Sequence, residues 1–385
     1  MQVSGQWKVI ITTGLALFAM FFGAGNIVFP LKIGVDSGQH LYPAIAAFII
    51  SGVGVPFLGL FAVSLYEGSY WQFFNRYGKV FAFLMVTFLI LIIGPLFAAP
   101  RTEVVTYNTL LPLLPSFFKN QYCFDALYFL IVFMLIYKQS RIIEIIGWFL
   151  SPVKIIAFSL LIALGIYTAS PLIAVPMTAA TAFHDSFTTG YGTMDLLGTF
   201  FFCTIACKHI VNKCRDIGVV SHHTIIKMTL LSCILGAILI GSIYTGFIFI
   251  AASHASALQN VPTEALISKI SYLILGEYGS LFLGICVSFA CLATAAALTE
   301  VTTDYLHSTV LRKKIPRLVC LLIVISTMFM MAILGFDGIM KIAVPILNVV
   351  YPLLIVLCVV NIFLKVVPKR YYAFWSSRKE ALEAN

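Results

Sequence analysis

The chain has 385 residues, of which 61% are hydrophobic and only 10% charged, and its mean hydropathy is +1.02. Soluble domains carry about 25% charged residues, so this composition excludes a water-soluble enzyme, a disordered chain and a secreted disulfide scaffold, and makes the bilayer the solvent. The formal charge of +9 then asks which side of a membrane each Lys and Arg occupies, and is no footprint for nucleic acid.

At about 20 apolar residues per helical crossing, the sequence accommodates ten spans with short loops and no sizeable soluble domain. The apolar runs cover 7–29, 41–65, 80–99, 122–137, 145–167, 194–211, 225–252, 281–306, 318–334 and 342–364. The fold class expected is an all-α polytopic membrane protein. With both termini in the cytoplasm, 19 of the 24 Lys and Arg fall in inside segments and five outside, and this alternation supports an even number of spans. Lys154 is counted inside in this scheme and Arg101 outside. The first run could be read as a signal peptide, since Lys8 precedes it and small residues Gly23-Ala24-Gly25 close it. Its continuation through Ile27-Val28-Phe29 argues for a span instead. Residues 365–385 are charged and aromatic and read as a cytoplasmic tail of a single transporter domain, 1–385.

No hydrolase, zinc-protease or phosphate-loop motif is present, and the chain is not expected to be an enzyme. Most of the nine cysteines fall inside apolar runs, where they read as small buried hydrophobes. His222-His223 and the group Cys203, Cys207 and His209 lie largely at a cytoplasmic helix end among basic residues that repel a cation, so no bound metal is expected there.

The informative positions are those where apolar spans contain backbone that a helix disfavours. In the first span, Phe22-Gly23-Ala24-Gly25-Asn26 puts two glycines and an amide at membrane depth, where an unwound turn is tolerated only beside a cavity. A glycine packing face is the plainer reading, and Asn26 favours a site. Such a turn offers free N–H groups to a carboxylate and free carbonyls to a cation. Span six opens on Gly190-Tyr191-Gly192-Thr193-Met194-Asp195, after a segment (169–189) that holds no Lys or Arg. Two five-span halves, 7–167 and 190–364, would each begin with a weak helix; five being odd, they would have opposite topology, as in the inverted repeats of secondary transporters. In span eight, Ala290-Cys291-Leu292-Ala293-Thr294-Ala295 is a run of small residues with one hydroxyl, readable as a packing seam or as a ligand wall. Further along it, Glu300 and Asp304 read as interfacial acids, with Glu300 a minor candidate for proton transfer.

The segment from Gly14 to Pro30, the run Gly94-Pro95-Leu96-Phe97-Ala98-Ala99-Pro100-Arg101-Thr102, the triplet Thr193-Met194-Asp195 and the small-residue run of span eight resemble, in order and spacing, the branched-chain amino acid:cation symporters of the BrnQ (LIVCS) family. That family is similar to the amino acid-polyamine-organocation superfamily. The resemblance implies a LeuT-type fold, ten helices in a five-plus-five inverted repeat with helices one and six interrupted. It also implies sodium-coupled uptake of leucine, isoleucine and valine through a bacterial inner membrane. It places the substrate carboxylate on Gly23, Ala24, Gly25 and Asn26, with Phe22, Phe202 and residues 92–96 as pocket walls and Cys203 beside them. It places sodium among the carbonyls of Ala19, Phe22 and Ala290 and the positions of Ala293 and Thr294. Ala293 stands where the pattern has a hydroxyl, so the coupling ion, Na+ or H+, stays open. No other cofactor is implied, and the partners are an amino acid, a monovalent cation and the lipid bilayer. Two other features depart from the pattern: Phe202-Cys203 replaces a Phe-Gly pair in helix six, and two further helices follow the tenth in many members. A proton-coupled or exchange carrier for another small apolar amino acid is the alternative. A membrane enzyme would need an acid-base or metal cluster at depth and a channel a charged ring or filter repeat, and neither is visible.

Overall fold

A computed structural model describes residues 2–137, 142–216 and 222–366. All ten apolar runs lie on helices, and no strand occurs among the described residues. The first crossing is α1 (Gln2–Phe21) and α2 (Ala24–Ser37), the second α3 (Leu41–Ile49) and α4 (Val55–Ser64) joined by a π-helical turn. A short α5 (Tyr70–Asn75) precedes the third crossing, α6 (Lys79–Leu91) and α7 (Ala98–Leu110). α8 (Gln121–Tyr137) and α9 (Ile142–Tyr167) complete the first half. The second half comprises α10 (Ala179–Tyr191), α11 (Asp195–Asp216), α12 (His222–Ser253), the short α13 (Ala255–Leu258), α14 (Leu266–Tyr305), α15 (Arg317–Ala332) and α16 (Gly335–Val366). Most of the expected tail, 367–385, lies outside the described residues.

Among the described residues, five helical stretches are long and apolar enough to cross a membrane alone, and the pair Ala179–Tyr191 and Asp195–Cys214, bent by 44°, is a sixth candidate. Shorter apolar helices, Gln6–Phe21, Gln121–Tyr137, Pro152–Tyr167 and Arg317–Ala332, fill in the rest. Large side chains such as Val349, Met330, Ile156 and Phe363 face outward and more than 60% exposed. Water would penalise such a surface and lipid accepts it.

Three crossings are interrupted. At the first, Gly23 is extended (φ −113°, ψ −163°), and its N–H donates both to the Phe21 carbonyl and to Asn26 Oδ1, each at 2.9 Å. Asn26 thereby caps α2 from its third position, a role suited to a short amide side chain. In the third crossing, Pro95 cannot donate a helical hydrogen bond, and Gly94 leaves helical geometry (φ −81°, ψ −112°). In the sixth, the turn Gly192-Thr193-Met194 separates α10 from α11, with Met194 in the left-handed region at φ +62°. A non-glycine residue held there costs on the order of 1 kcal/mol or more, so the surrounding packing imposes the turn.

Two expectations are revised. The sixth crossing starts before residue 190, because 179–191 is helical: Thr178 caps α10 by accepting from the Thr181 N–H at 3.2 Å. The interruption falls at 192–194, within the weak-helix stretch that opens span six, and Phe202-Cys203 sit in unbroken α11. Neither Arg101 nor Lys154 is a loop residue. They are 2% and 5% exposed, on α7 and α9, and without them the charge count is 18 inside and four outside.

Close helix contact holds α2 to α12. A Cβ on Gly34 would lie 2.3 Å from the Ile248 carbonyl oxygen and 2.7 Å from Ala251 Cβ, so the two backbones meet where only hydrogen fits. Gly241, by contrast, has its nearest neighbour, Ile49 Cδ1, at 3.6 Å. Thermal unfolding of the purified protein should separate the two: Gly34→Ala is destabilising by about 1–3 kcal/mol, and Gly241→Ala is close to neutral.

Candidate functional site

The interruptions of α1/α2 and α10/α11 meet inside the bundle. Asn26 donates through Nδ2 to Asp195 Oδ2 at 2.6 Å and also lies in hydrogen-bond contact with the Tyr244 hydroxyl. Tyr244, on α12, donates to the same Asp195 oxygen at 3.2 Å. All three are buried. Asp195 is the first residue of α11, where a carboxylate also faces the positive end of the helix dipole. Asn26, which the resemblance gives to the substrate, therefore uses its amide mainly to join the two breaks.

On the other side of α2 stands Arg101. Its Nη1 donates to the Gly192 carbonyl at 2.6 Å, its guanidinium carbon sits 5.2 Å from the Phe29 ring centroid, and its Nε has no partner among the described residues. A Cβ on Gly25 would lie 2.5 Å from Arg101 Nη2 and 3.3 Å from Thr193 Cα, so glycine is required for this approach. The first N–H groups of α2, at Ala24 and Gly25, have no carbonyl one turn behind them.

These groups border a small cavity of about 40 Å³ whose polar lining includes Gly23, Ala24, Gly25, Asn26, Arg101 and Asp195. A larger cavity of about 340 Å³ shares the walls Met20, Ile93, Phe202, Thr294 and Leu298 with it. Its lining is mainly apolar, with Phe201, Ile205 and Val301 among it, and Ala19, Ala290, Ala293 and Lys154 also border it. An aliphatic side chain suits such walls.

Most of the candidate residues thus gather at the two cavities. Phe22 does not border either: its ring packs against Phe18, Phe158 and Tyr244. Cys203 is buried with its thiol toward the Leu60 carbonyl at 3.4 Å, and it too stays outside the cavity walls. Of residues 92–96, Ile93 borders both cavities. Glu300 is paired with Arg317 at 2.6 Å, as is Asp304 at 2.9 Å, and Glu300 borders neither cavity.

The donor set expected for sodium is thin. Ala293 has no side-chain oxygen, and the Thr294 hydroxyl donates at 3.1 Å to the Ala290 carbonyl, itself one of the expected ligands. Lys154 lines the same cavity. Hard cations need several oxygen ligands to replace lost water, and backbone carbonyls with one hydroxyl, beside a buried lysine, fit that need poorly. Arg101, Asp195, Tyr244 and Lys154 escaped the sequence reading as site residues. Lys154 carried a legible signal, a charge well inside the run 145–167.

The family model described as "Branched-chain amino acid transport protein" matches residues 6–377. The chain belongs to that family. It is accordingly a transporter and not an enzyme. A Staphylococcus saprophyticus protein named "Putative branched-chain amino acid carrier protein" is 32% identical over 374 residues, covering 93% of this chain and 82% of the relative. A Staphylococcus aureus protein of the same description is 31% identical over 376 residues, with 93% and 82% covered. Among solved structures, inward-facing Mhp1 superposes with a TM-score of 0.65 at 14% identity, covering 91% of this chain and 76% of that one. MhsT in complex with L-phenylalanine gives 0.57 at 16%, covering 91% and 88%. At such identities the likeness is one of fold, and the family's multi-pass chain has the LeuT-type architecture.

The joint between the breaks can be tested by removing its centre. Asn26→Ala leaves the Gly23 N–H with the Phe21 carbonyl alone and takes a charge-assisted donor from Asp195, at a cost of about 1–3 kcal/mol. The variant should express, melt lower and transport less than wild type. Tyr244→Phe, which deletes one hydroxyl, should show a smaller loss in both, and equal melting for all three proteins would show that the joint holds nothing.

Proposed function

We propose that the protein is a secondary active transporter that imports leucine, isoleucine and valine. The observation that carries this reading is the meeting of two interrupted helices at a small polar cavity that shares walls with a larger apolar one. The free N–H groups of Ala24 and Gly25 and the charge of Arg101 suit a carboxylate from one side. Asp195, at the opposite break, suits an ammonium. The apolar cavity then takes the side chain, with Phe202, Ile93 and Leu298 as walls. An apolar pocket separates aliphatic chains by only about 1–3 kcal/mol per methylene, which accounts for overlapping acceptance of the three amino acids.

The resemblance supplies sodium as the coupling ion and a bacterial inner membrane, with both termini cytoplasmic, as the setting. A second reading keeps the fold and changes the coupling: a proton-coupled or exchange carrier. The thin oxygen set around Thr294 and the presence of Lys154 favour it.

Counterflow in proteoliposomes tests the substrate class without assuming any driving ion. Vesicles loaded with unlabelled leucine, isoleucine or valine should each accumulate labelled leucine transiently, and vesicles loaded with lysine or glutamate should not. Arg101→Gln should lower the counterflow rate by about tenfold or more, since a charge-assisted contact to a carboxylate is worth about 1.5–3 kcal/mol. Counterflow with charged amino acids, or with none, would overturn the reading.

A further inference from the structure

We propose that the Lys154 ammonium is itself the cation of the larger cavity, standing where a coupling sodium would bind, so that the carrier works without sodium. The inference rests on the transporter reading above and concerns the same cavity.

Four of the five residues expected to hold sodium, Ala19, Ala290, Ala293 and Thr294, border the cavity that Lys154 enters from α9. Lys154 is 5% exposed, and among the described residues no carboxylate pairs with it. Tyr70 is the other ionisable side chain of that cavity wall. A buried, unpaired ammonium is costly unless backbone or side-chain oxygens receive its three N–H donors. The end of α1 offers such oxygens. The Phe18 carbonyl accepts from the Phe22 N–H and that of Phe21 from the Gly23 N–H, both at 2.9 Å. The carbonyls between them, at Ala19 and Met20, belong to a helix end that no further turn continues, and both residues border the cavity. The negative end of the α1 dipole favours a cation at that place.

Two cations cannot share it. Like charges at close range repel strongly in a medium of low dielectric constant, and the oxygens that an ammonium uses are lost to a metal ion. The alanine at position 293 fits this assignment. A fixed ammonium brings its own donors and needs fewer ligands than a bare ion, so the missing hydroxyl is no defect. In this reading Lys154 does permanently what a bound sodium would do reversibly, bridging the end of α1 to α14.

The deciding measurement is leucine counterflow by the wild-type protein in sodium medium and in choline medium. Equal rates are expected, and a requirement for sodium overturns the proposal. Lys154→Arg, which keeps the charge, should also run equally in both media. Lys154→Ala should lose about tenfold in choline, because it removes the hydrogen bonds of a charged group. Adding Ala293→Thr to it should restore transport in sodium alone. Full activity of Lys154→Ala in choline would overturn the assignment. Thermal unfolding of the wild type in sodium against potassium chloride gives a readout that does not need transport. A sodium-specific rise in Tm overturns the proposal, and equal Tm supports it. If leucine shows no counterflow in either medium, the substrate reading fails, and the thermal comparison still decides the role of Lys154.

Discussion

Backbone that leaves the helix inside a bilayer has no water to fall back on, and every other feature of this protein is arranged around that constraint. Two helices are unwound at the same place, and their loose ends are tied to each other. Asn26 satisfies the Gly23 N–H through its oxygen and reaches Asp195 and Tyr244 through its nitrogen. Arg101 holds the Gly192 carbonyl of the other break. Each break thus supplies polar partners for its counterpart, and neither would be tolerable alone. The cavity at the centre follows from this: where two helices stop facing each other with ordinary side chains, space remains.

The bundle around the joint is built for close approach. Gly34 lets α2 lie against α12, and Gly25 lets α2 accept the guanidinium of Arg101. Aromatic rings fill the region behind the first break, with Phe22 at 5.0 Å from Phe18, 5.2 Å from Phe158 and 6.4 Å from Tyr244 by ring centroids. Dispersion and small residues do in lipid what the hydrophobic effect does in water.

Much of this could be read from the sequence. The apolar runs gave the helices, and the first break was legible because Gly23, Gly25 and Asn26 are all poor choices for the middle of a span. The break in the sixth crossing was harder. Its first half, α10, carries His184, Asp185 and several Thr and Ser residues, so hydropathy alone makes 179–191 look like a connector. The interruption at Gly94-Pro95 was visible as a motif, yet the long apolar run before it hid its meaning. Arg101 and Lys154 were counted as outside and inside charges by a rule that treats every cation as a topology marker. That rule fails where a cation is buried inside the bundle. The tie between Asn26, Asp195 and Tyr244 could not have been read at all, since it joins residues 169 and 218 positions apart.

Helix α14 is among those that border both cavities. Thr294 and Leu298 of α14 line the polar space and the apolar one, and Thr302, two turns below Thr294, packs on Gly94 at the hinge of the third crossing. Residue Ile93, next to that hinge, also faces both spaces. An occupant of either cavity that shifts α14 or bends the third crossing therefore changes the shape offered to an occupant of the other. Linkage makes the influence mutual: whatever factor the first guest imposes on the affinity for the second, the second imposes on the first.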